Sequence, residues 1–190
     1  MKQIIPLLLC ILLFGCSANS TYVSYSVGQT ESNAEVPIDK ETLRKESQKM
    51  FRHLFPDVSA PELFFYGTLE DAETVITQDG RGIILLGEEG RKKSAEIITV
   101  LESLKNRNFT VLFVNAQKEK YWDREAWKSF TDTVRKNTEN GQGEIDDMVL
   151  PVLLFVKKGN VVGVMSVPAD LDPKTLEQNM EELAEQISDQ

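Results

Sequence analysis

The most constraining feature of this chain is an uninterrupted apolar run with a glycine at each end, Gly82–Gly87 (Gly-Ile-Ile-Leu-Leu-Gly). A run of this length without polar alternation is typical of a strand that is buried on both faces of a sheet. Residues 94–105 then show helical periodicity, and residues 109–114 form a second apolar run. This order of strand, helix and strand predicts a parallel crossover in an α/β fold.

The rest of the chain continues the pattern. Arg124–Lys136 has a helical period, residues 149–156 and 161–167 are predicted strands joined by the turn signal Lys-Lys-Gly-Asn, and Asp172-Pro173 begins a last helix. From Gly82 onward the predicted order is therefore β, α, β, α, β, β, α. The apolar positions of the three helices are Ile97, Ile98, Leu101 and Leu104; Ala126, Trp127, Phe130 and Val134; and Leu176, Met180, Leu183, Ala184 and Ile187.

Three weaker patterns precede the glycine-bounded run. A helix capped by Asp39 is predicted to end before Pro56, and residues 63–66 read as a short aromatic strand. Residues 71–76 are only weakly periodic and indicate a helical turn that ends at Asp79-Gly80. The apolar face predicted for the first helix consists of Leu43, Met50, Phe51 and Leu54.

The N-terminal residues resemble a bacterial lipoprotein signal. Lys2 precedes an apolar stretch at 4–14, which is shorter than the roughly 20 residues of a membrane-spanning helix. Leu13, Gly15 and Cys16 match the lipoprotein motif, whereas Phe14 departs from its usual small residue. The resemblance implies cleavage before Cys16 and a diacylglyceryl group on its sulfur, whose two acyl chains give a stable anchor. The alternative is a plain secretory or uncleaved leader in which Cys16 is an ordinary apolar residue.

These features divide the chain into three parts. Residues 1–15 are the predicted signal peptide, residues 16–38 the lipidated cysteine and a flexible tether, and residues 39–190 one domain with an N-terminal helical extension. Residues 17–36 are rich in Ser, Thr, Asn and Gln and have no sustained period. As a flexible coil the tether has a root-mean-square reach of roughly 25 Å.

Composition excludes several classes of function. The net charge is -9, and removal of the leader takes away only Lys2, so the processed chain is still more acidic and a poor candidate for binding nucleic acid or anionic lipid headgroups. His53 is the only histidine, which excludes a histidine-rich metal site and an ordinary Ser-His or Cys-His catalytic pair. The acidic residues at 139–147 lack the ligand spacing of an EF-hand loop. We therefore expect no metal and no cofactor.

Residues 150–162 (Leu-Pro-Val-Leu-Leu-Phe-Val-Lys-Lys-Gly-Asn-Val-Val) resemble the thioredoxin signature, in which a cis-proline opens a strand that runs into a Lys-x-Gly hairpin. Spacing alone leaves the isomer of the Leu150-Pro151 bond open, and the resemblance implies cis. The resemblance covers residues 62–190 and is nearest to the bacteriocin transport accessory proteins and related Gram-positive thioredoxin-like lipoproteins. It implies a three-layer α/β/α sandwich with a mixed central sheet and a C-terminal hairpin plus helix.

The family's Cys-x-x-Cys motif is missing. Alignment on Gly87 puts Arg91 at the first cysteine and Ser94 at the second. Because thiol–disulfide exchange needs an attacking thiolate and a resolving thiol, the comparison implies a domain without this activity and therefore not an enzyme of that kind. Ser94 has no histidine near it in sequence to act as its base, so we interpret it as a cap or first-turn residue of the helix.

Two interpretations of Arg91, Lys92 and Lys93 stay open. The three cations are either a solvated charge run, paired with Glu88 and Glu89, or part of a docking surface formed with the Leu150-Pro151 turn, which is adjacent in the fold.

The function that follows is a binding or accessory module on the extracytoplasmic face of the membrane, with an unidentified envelope protein as its partner. The alternatives are an enzyme with a non-thiol mechanism that uses Arg91 and Ser94, and a small-ligand receptor with a closed apolar pocket. Elsewhere, Trp127 is predicted to be core. Tyr121 and Trp122 are predicted to pack where their helix begins, and they would indicate an interface if exposed.

Overall fold

The computed structural model describes residues 40–107, 109–138, 145 and 147–188. The predicted leader, Cys16, the tether, the Asp39 cap and most of the acidic segment 139–147 lie outside these residues. The helices are α1 (Lys40–Leu54), α2 (Leu69–Thr77), α3 (Lys92–Ser103), α4 (Gln117–Tyr121), α5 (Arg124–Lys136) and α6 (Pro173–Ile187). The strands are β1 (Phe64–Gly67), β2 (Gly82–Gly87), β3 (Val111–Asn115), β4 (Val152–Lys157) and β5 (Asn160–Ser166). Pro61–Leu63 and Lys105–Arg107 form 3-10 turns.

The five strands form one mixed sheet in the order β1-β3-β2-β4-β5. β1, β3 and β2 run parallel, while β4 pairs antiparallel with both β2 and β5. β2 occupies the centre, and each of its six residues is buried, as its uninterrupted apolar sequence predicts. The hairpin between β4 and β5 forms at the predicted turn, where Lys158 and Gly159 have φ values of 51° and 76°.

Helices cover both faces of the sheet, so the fold is a thioredoxin-like three-layer α/β/α sandwich. α1, α3 and α6 pack on one face, where Phe51, Ile97 and Met180 meet the β-strand residues Phe64 and Phe113. α2 and α5 pack on the other face. There Ala72, Val75, Ile76, Trp127, Phe130 and Val134 contact the opposite side chains of the same strands. Alternate strand residues therefore fill two separate apolar layers, which is why the strands show almost no polar positions.

The buried face of α1 differs from the predicted one. Met50 is 42% exposed, and Ser47 is buried in its place. Ser47 Oγ donates a hydrogen bond of 2.7 Å to the carbonyl oxygen of Tyr66 in β1. The polar side chain is compatible with burial because the hydrogen bond replaces its contact with water.

Three other elements depart from expectation. The segment at 71–76 belongs to a complete helix, α2, whose start is fixed by a capping box between Thr68 and Asp71. The strand predicted to begin at Val149 begins at Val152, and Val149 is 69% exposed. The short helix α4 was not predicted at all. Within the described residues, no helix has both the length and the apolar character needed to cross a bilayer.

Candidate functional site

The candidate site lies at one end of the sheet, which we call the loop end because β1, β2 and β3 finish there, at Gly67, Gly87 and Asn115. β4 runs in the opposite direction and begins there, with Val152 opposite Leu86. The loop that follows β2 and the Leu150-Pro151 turn that precedes β4 are therefore neighbours, as predicted. The other end carries the β4–β5 turn, and we call it the hairpin end.

A tight turn connects β2 to α3. The backbone N–H of Arg91 donates to the carbonyl oxygen of Glu88 at 3.4 Å, and Gly90 has a φ of 70°. A positive φ at the third residue is the requirement of a type II turn, which glycine meets without a steric cost. The chain passes directly from this turn into α3, whose N-cap is Arg91.

Ser94 stabilises this turn by hydrogen bonds from its buried side chain. Its side chain is fully buried, and its Oγ accepts a hydrogen bond from Glu88 N at 3.3 Å and donates one to Glu88 O at 3.1 Å. Ser94 is therefore a first-turn residue that bridges back to the end of β2, not the cap of α3. With its proton donated to a backbone carbonyl, the hydroxyl has a structural role in this geometry.

Of the three cations at positions 91–93, Arg91 pairs with a predicted partner and the two lysines do not. Arg91 forms an ion pair with the buried carboxylate of Glu88, as expected. Lys93 and Lys92 instead contact Glu96, one turn further along α3, at 2.9 and 3.5 Å. The hydrogen bond from Lys93 lowers the pKa of the Glu96 carboxyl, and the nearby Lys92 adds to this effect.

The three cations differ in the exposure of their side chains to solvent. The side chains of Lys92 and Arg91 are 92% and 66% exposed, whereas that of Lys93 lies mostly against the protein. Glu89 is exposed and accepts a hydrogen bond of 3.0 Å from Tyr66 Oη. The outer surface of the turn therefore consists of Glu89, Arg91 and Lys92.

The Leu150-Pro151 peptide bond is cis, in agreement with the prediction from the thioredoxin resemblance. Both residues are buried, so their side chains offer little surface to a partner, and the docking predicted for this turn through its backbone stays a prediction. The Pro151 carbonyl oxygen accepts from Val167 N at 3.1 Å, and Val149 O accepts from Ser166 Oγ at 3.3 Å. Among the described residues, no hydrogen bond reaches the backbone N–H or carbonyl of Leu150. The exposed side chain next to this turn is that of Val149.

The aromatic residues after β3 lie at the same end. Trp127 is 5% exposed and belongs to the core, as predicted, with the Lys120 ammonium 4.6 Å from its ring centroid. Trp122 is 83% exposed and Tyr121 is 45% exposed, so the prediction that both pack where their helix begins is wrong. The reason is α4, which turns the chain outward before α5 starts at Arg124.

Asp71 is, with Glu88, a buried acidic residue at the loop end. Burial raises the pKa of its carboxyl, and hydrogen bonds from Thr68 N and Oγ1, at 2.8 and 2.9 Å, partly offset that rise. The carboxylate thus takes part in the N-terminal cap of α2. In the described part of the chain, no three His, Cys, Asp or Glu side chains are grouped so that they could hold a metal ion.

Two concavities lie outside the turns of the loop end. A small cavity of about 20 Å³ is lined by residues that include Val75, Arg81 and Thr110. A wide groove of about 290 Å³ separates β5 from α6, between Val164 and Leu183. Neither includes a residue of the turn at 88–91 or of the Leu150-Pro151 turn.

Comparisons of this chain with protein-family models, with curated proteins and with solved structures find no match. The fold is defined by the strand order and by the two helical layers.

Proposed function

We propose that this protein is an extracytoplasmic lipoprotein whose thioredoxin-like domain lacks redox activity and serves as a protein-binding or accessory module at the cell envelope. The observation that carries the proposal is the identity of two residues at the start of α3. Arg91 and Ser94 occupy the N-cap and the third helical position, where the redox members of the family that the chain resembles carry their cysteines. Thiol exchange has no nucleophile at either position.

The same two residues disfavour a non-thiol enzyme. Ser94 is fully buried and hydrogen-bonded to the Glu88 backbone, so its oxygen is not available to a substrate. Arg91 pairs with Glu88, and His53, the only histidine of the chain, lies on α1. Activated serine chemistry needs a base within hydrogen-bond reach of the hydroxyl, and this arrangement offers none.

A binding role agrees with what the loop end exposes. The turn presents charged side chains at Glu89, Arg91 and Lys92, and the exposed Val149 lies beside the Leu150 backbone, which bonds to no other residue that the structure describes. An extended peptide can use such backbone groups without any sulfur chemistry. Neither of the two concavities described above is the closed apolar pocket that a small-ligand receptor predicts, because the cavity holds about 20 Å³ and the groove between β5 and α6 is open.

The membrane location is proposed from the leader alone. Leu13, Gly15 and Cys16 provide the lipoprotein motif, and two acyl chains on Cys16 would hold the protein at the surface. Labelling with radioactive palmitate tests this point directly. We expect incorporation into the wild-type protein and none into a Cys16→Ala variant, and an unlabelled wild-type protein would overturn the anchor.

Site-specific photocrosslinking in membranes tests the binding role. Lys92 and Val149, both exposed at the loop end, are replaced one at a time by a photoreactive residue; Asn160, exposed at the hairpin end, is the matched control. We expect one protein to be captured from Lys92 and Val149 and not from Asn160. With the photoreactive residue at Val149, an Arg91→Glu, Lys92→Glu variant should lose the capture. Identical products from all three positions would contradict the proposal.

A further inference from the structure

Exposed apolar surface is concentrated at the loop end. Among the described residues, the large apolar side chains that are exposed are Met50, Tyr121, Trp122 and Val149. Three of these four lie at the loop end: Val149 just before β4, and Tyr121 and Trp122 just after β3. Trp122 has most of its surface in water, which is unusual because tryptophan is highly buried on average.

The two aromatic residues are presented by a well-anchored helix. Ala116, immediately before α4, is buried and donates from its backbone N–H to Gly87 O at 3.1 Å, which joins α4 to the end of β2. Lys120 lies over the buried Trp127 ring, and Trp122 N donates to Lys118 O at 2.8 Å. Because α4 is fixed on both sides, the outward position of Trp122 belongs to the fold.

The chain also enters the domain at the loop end. α1 runs antiparallel to β1, since Phe51 stacks on Phe64 with 4.7 Å between ring centroids while Ser47, one turn earlier, bonds to Tyr66 O. Continuing toward its N-terminus, α1 passes Arg44, whose guanidinium lies 5.3 Å from the centroid of the Phe65 ring. The start of α1 therefore lies beyond Tyr66, on the side where β1 ends. The segment that joins Cys16 to the domain is attached at the same end as Trp122.

We infer that the loop end touches the phospholipid surface through Trp122 and Tyr121, whose rings lie in the interfacial layer, while Lys92 and Val149 stay available to the partner proposed above; this inference rests on the proposed lipid anchor at Cys16. Because the lipid anchor is joined to the loop end, it favours the approach of the loop end to the bilayer. The tether, with a reach of roughly 25 Å, lets the domain touch the membrane surface. Tryptophan and tyrosine are the side chains that concentrate at the membrane–water interface, because each has an apolar ring with a polar group.

The chemistry of the contact is apolar rather than ionic. The chain has a net charge of -9, so an anionic membrane offers it no general attraction. The contact should therefore form equally well on neutral phosphatidylcholine vesicles and persist at high salt. This separates the proposed mode from binding by a basic patch, which weakens with ionic strength.

The two tryptophans make the contact measurable. The purified lipoprotein is reconstituted into phosphatidylcholine vesicles with or without bromine on the acyl chains, which quenches nearby indole fluorescence. In a Trp127→Phe variant only Trp122 emits, and we expect a roughly twofold loss of emission in brominated vesicles, since an interfacial side chain lies within about 5–10 Å of the acyl boundary. A Trp122→Phe variant, which emits from the buried Trp127, should lose little.

A matched control places an exposed tryptophan elsewhere. Met50→Trp, combined with Trp122→Phe and Trp127→Phe, carries its only indole on α1, level with the start of β1. We expect no quenching from this position. If the Trp127 substitution disturbs folding, the difference in quenching between the wild type and Trp122→Phe gives the same information.

The outcomes distinguish this inference from the proposed function. Mass analysis of the N-terminal peptide first establishes whether Cys16 is acylated. Acylated protein whose Trp122 is not quenched overturns the membrane contact and leaves the anchor intact. Protein without acyl chains that stays in solution with vesicles overturns both. Trp122 that is protected in native membranes but not in pure lipid vesicles indicates a protein at this surface, which also overturns the inference.

Discussion

The two ends of the sheet are closed in different ways. At the hairpin end, backbone packs on backbone: Gly159 N donates to Gly80 O at 3.0 Å, and a Cβ on Gly159 would lie 2.8 Å from Ile76 O. At the loop end, the Ser94 side chain holds the connection, and the turn at Gly90 faces open space. The hairpin end is thus closely packed, whereas the turn at the loop end is open to solvent. Substitutions should therefore affect the stability of the protein differently at the two ends.

The largest contrast is expected from the same substitution at the two turns. Gly159 and Gly90 have similar φ values, 76° and 70°, but only Gly159 has backbone against it. We expect Gly159→Ala to lower the free energy of unfolding by about 3 kcal/mol, from strain plus a clash, and Gly90→Ala by about 1 kcal/mol, from strain alone. Urea denaturation measures both. Equal losses would mean that the hairpin end is not the tighter one.

Removing the hydroxyl that holds the loop end should have the next largest effect. Ser94→Ala leaves the buried N–H of Glu88 without an acceptor, and we expect a loss of about 2 kcal/mol in the free energy of unfolding. Ser166→Ala, which removes a more exposed bond to Val149 O, is the control and should cost less than about 1 kcal/mol. If Ser94→Ala were no worse than the control, the turn would be held by other contacts.

The buried acid at the loop end predicts a dependence on pH. Because burial raises the folded-state pKa of Asp71, its charged form opposes folding, and this opposition is relieved as the pH falls through the raised pKa. The wild type should therefore gain stability relative to Asp71→Asn as the pH is lowered from neutral toward 4. Paired urea titrations across this range measure the difference. A difference that is constant with pH, or opposite in sign, would contradict the assignment.

The smallest effect on stability is expected at the exposed aromatics. Trp122→Ser and Tyr121→Ser should each change the free energy of unfolding by no more than about 0.5 kcal/mol, because surface side chains away from packed features contribute little. Thermal and urea unfolding would give the values. A loss well above this range would show that Trp122 packs on the domain and would remove the basis for the membrane contact.

Elements governed by local pattern were predicted well. β2 and α5 have the predicted bounds, and the hairpin turn and the Asp172 cap of α6 occur where the sequence indicates. These features depend on residues close together in the chain: an apolar run between glycines, a helical period, and turn and cap residues. Thr68 and Asp71 carried a comparable signal for α2, a capping box, that the weak apolar period of the segment concealed.

The features that were missed depend on distant parts of the chain. Ser47 is buried because a strand carbonyl happens to meet it, and Met50 is exposed because the face of α1 is set by its contact with β1. At the site, alignment on Gly87 placed Arg91 and Ser94 correctly at the start of α3. It could not show that Ser94 bonds to Glu88, because that contact depends on the path of the turn between them.

The contact between α1 and β1 has a consequence for self-association. β1 is an edge strand, and edge strands offer backbone groups on which a second copy can build. Ser47 Oγ engages one of these groups, the Tyr66 carbonyl, from within the same chain. If the protein is held at a membrane as we propose, its copies diffuse in two dimensions, where collisions between neighbouring edges are frequent. The helix that connects the domain to its anchor would then also hinder pairing between tethered copies through β1.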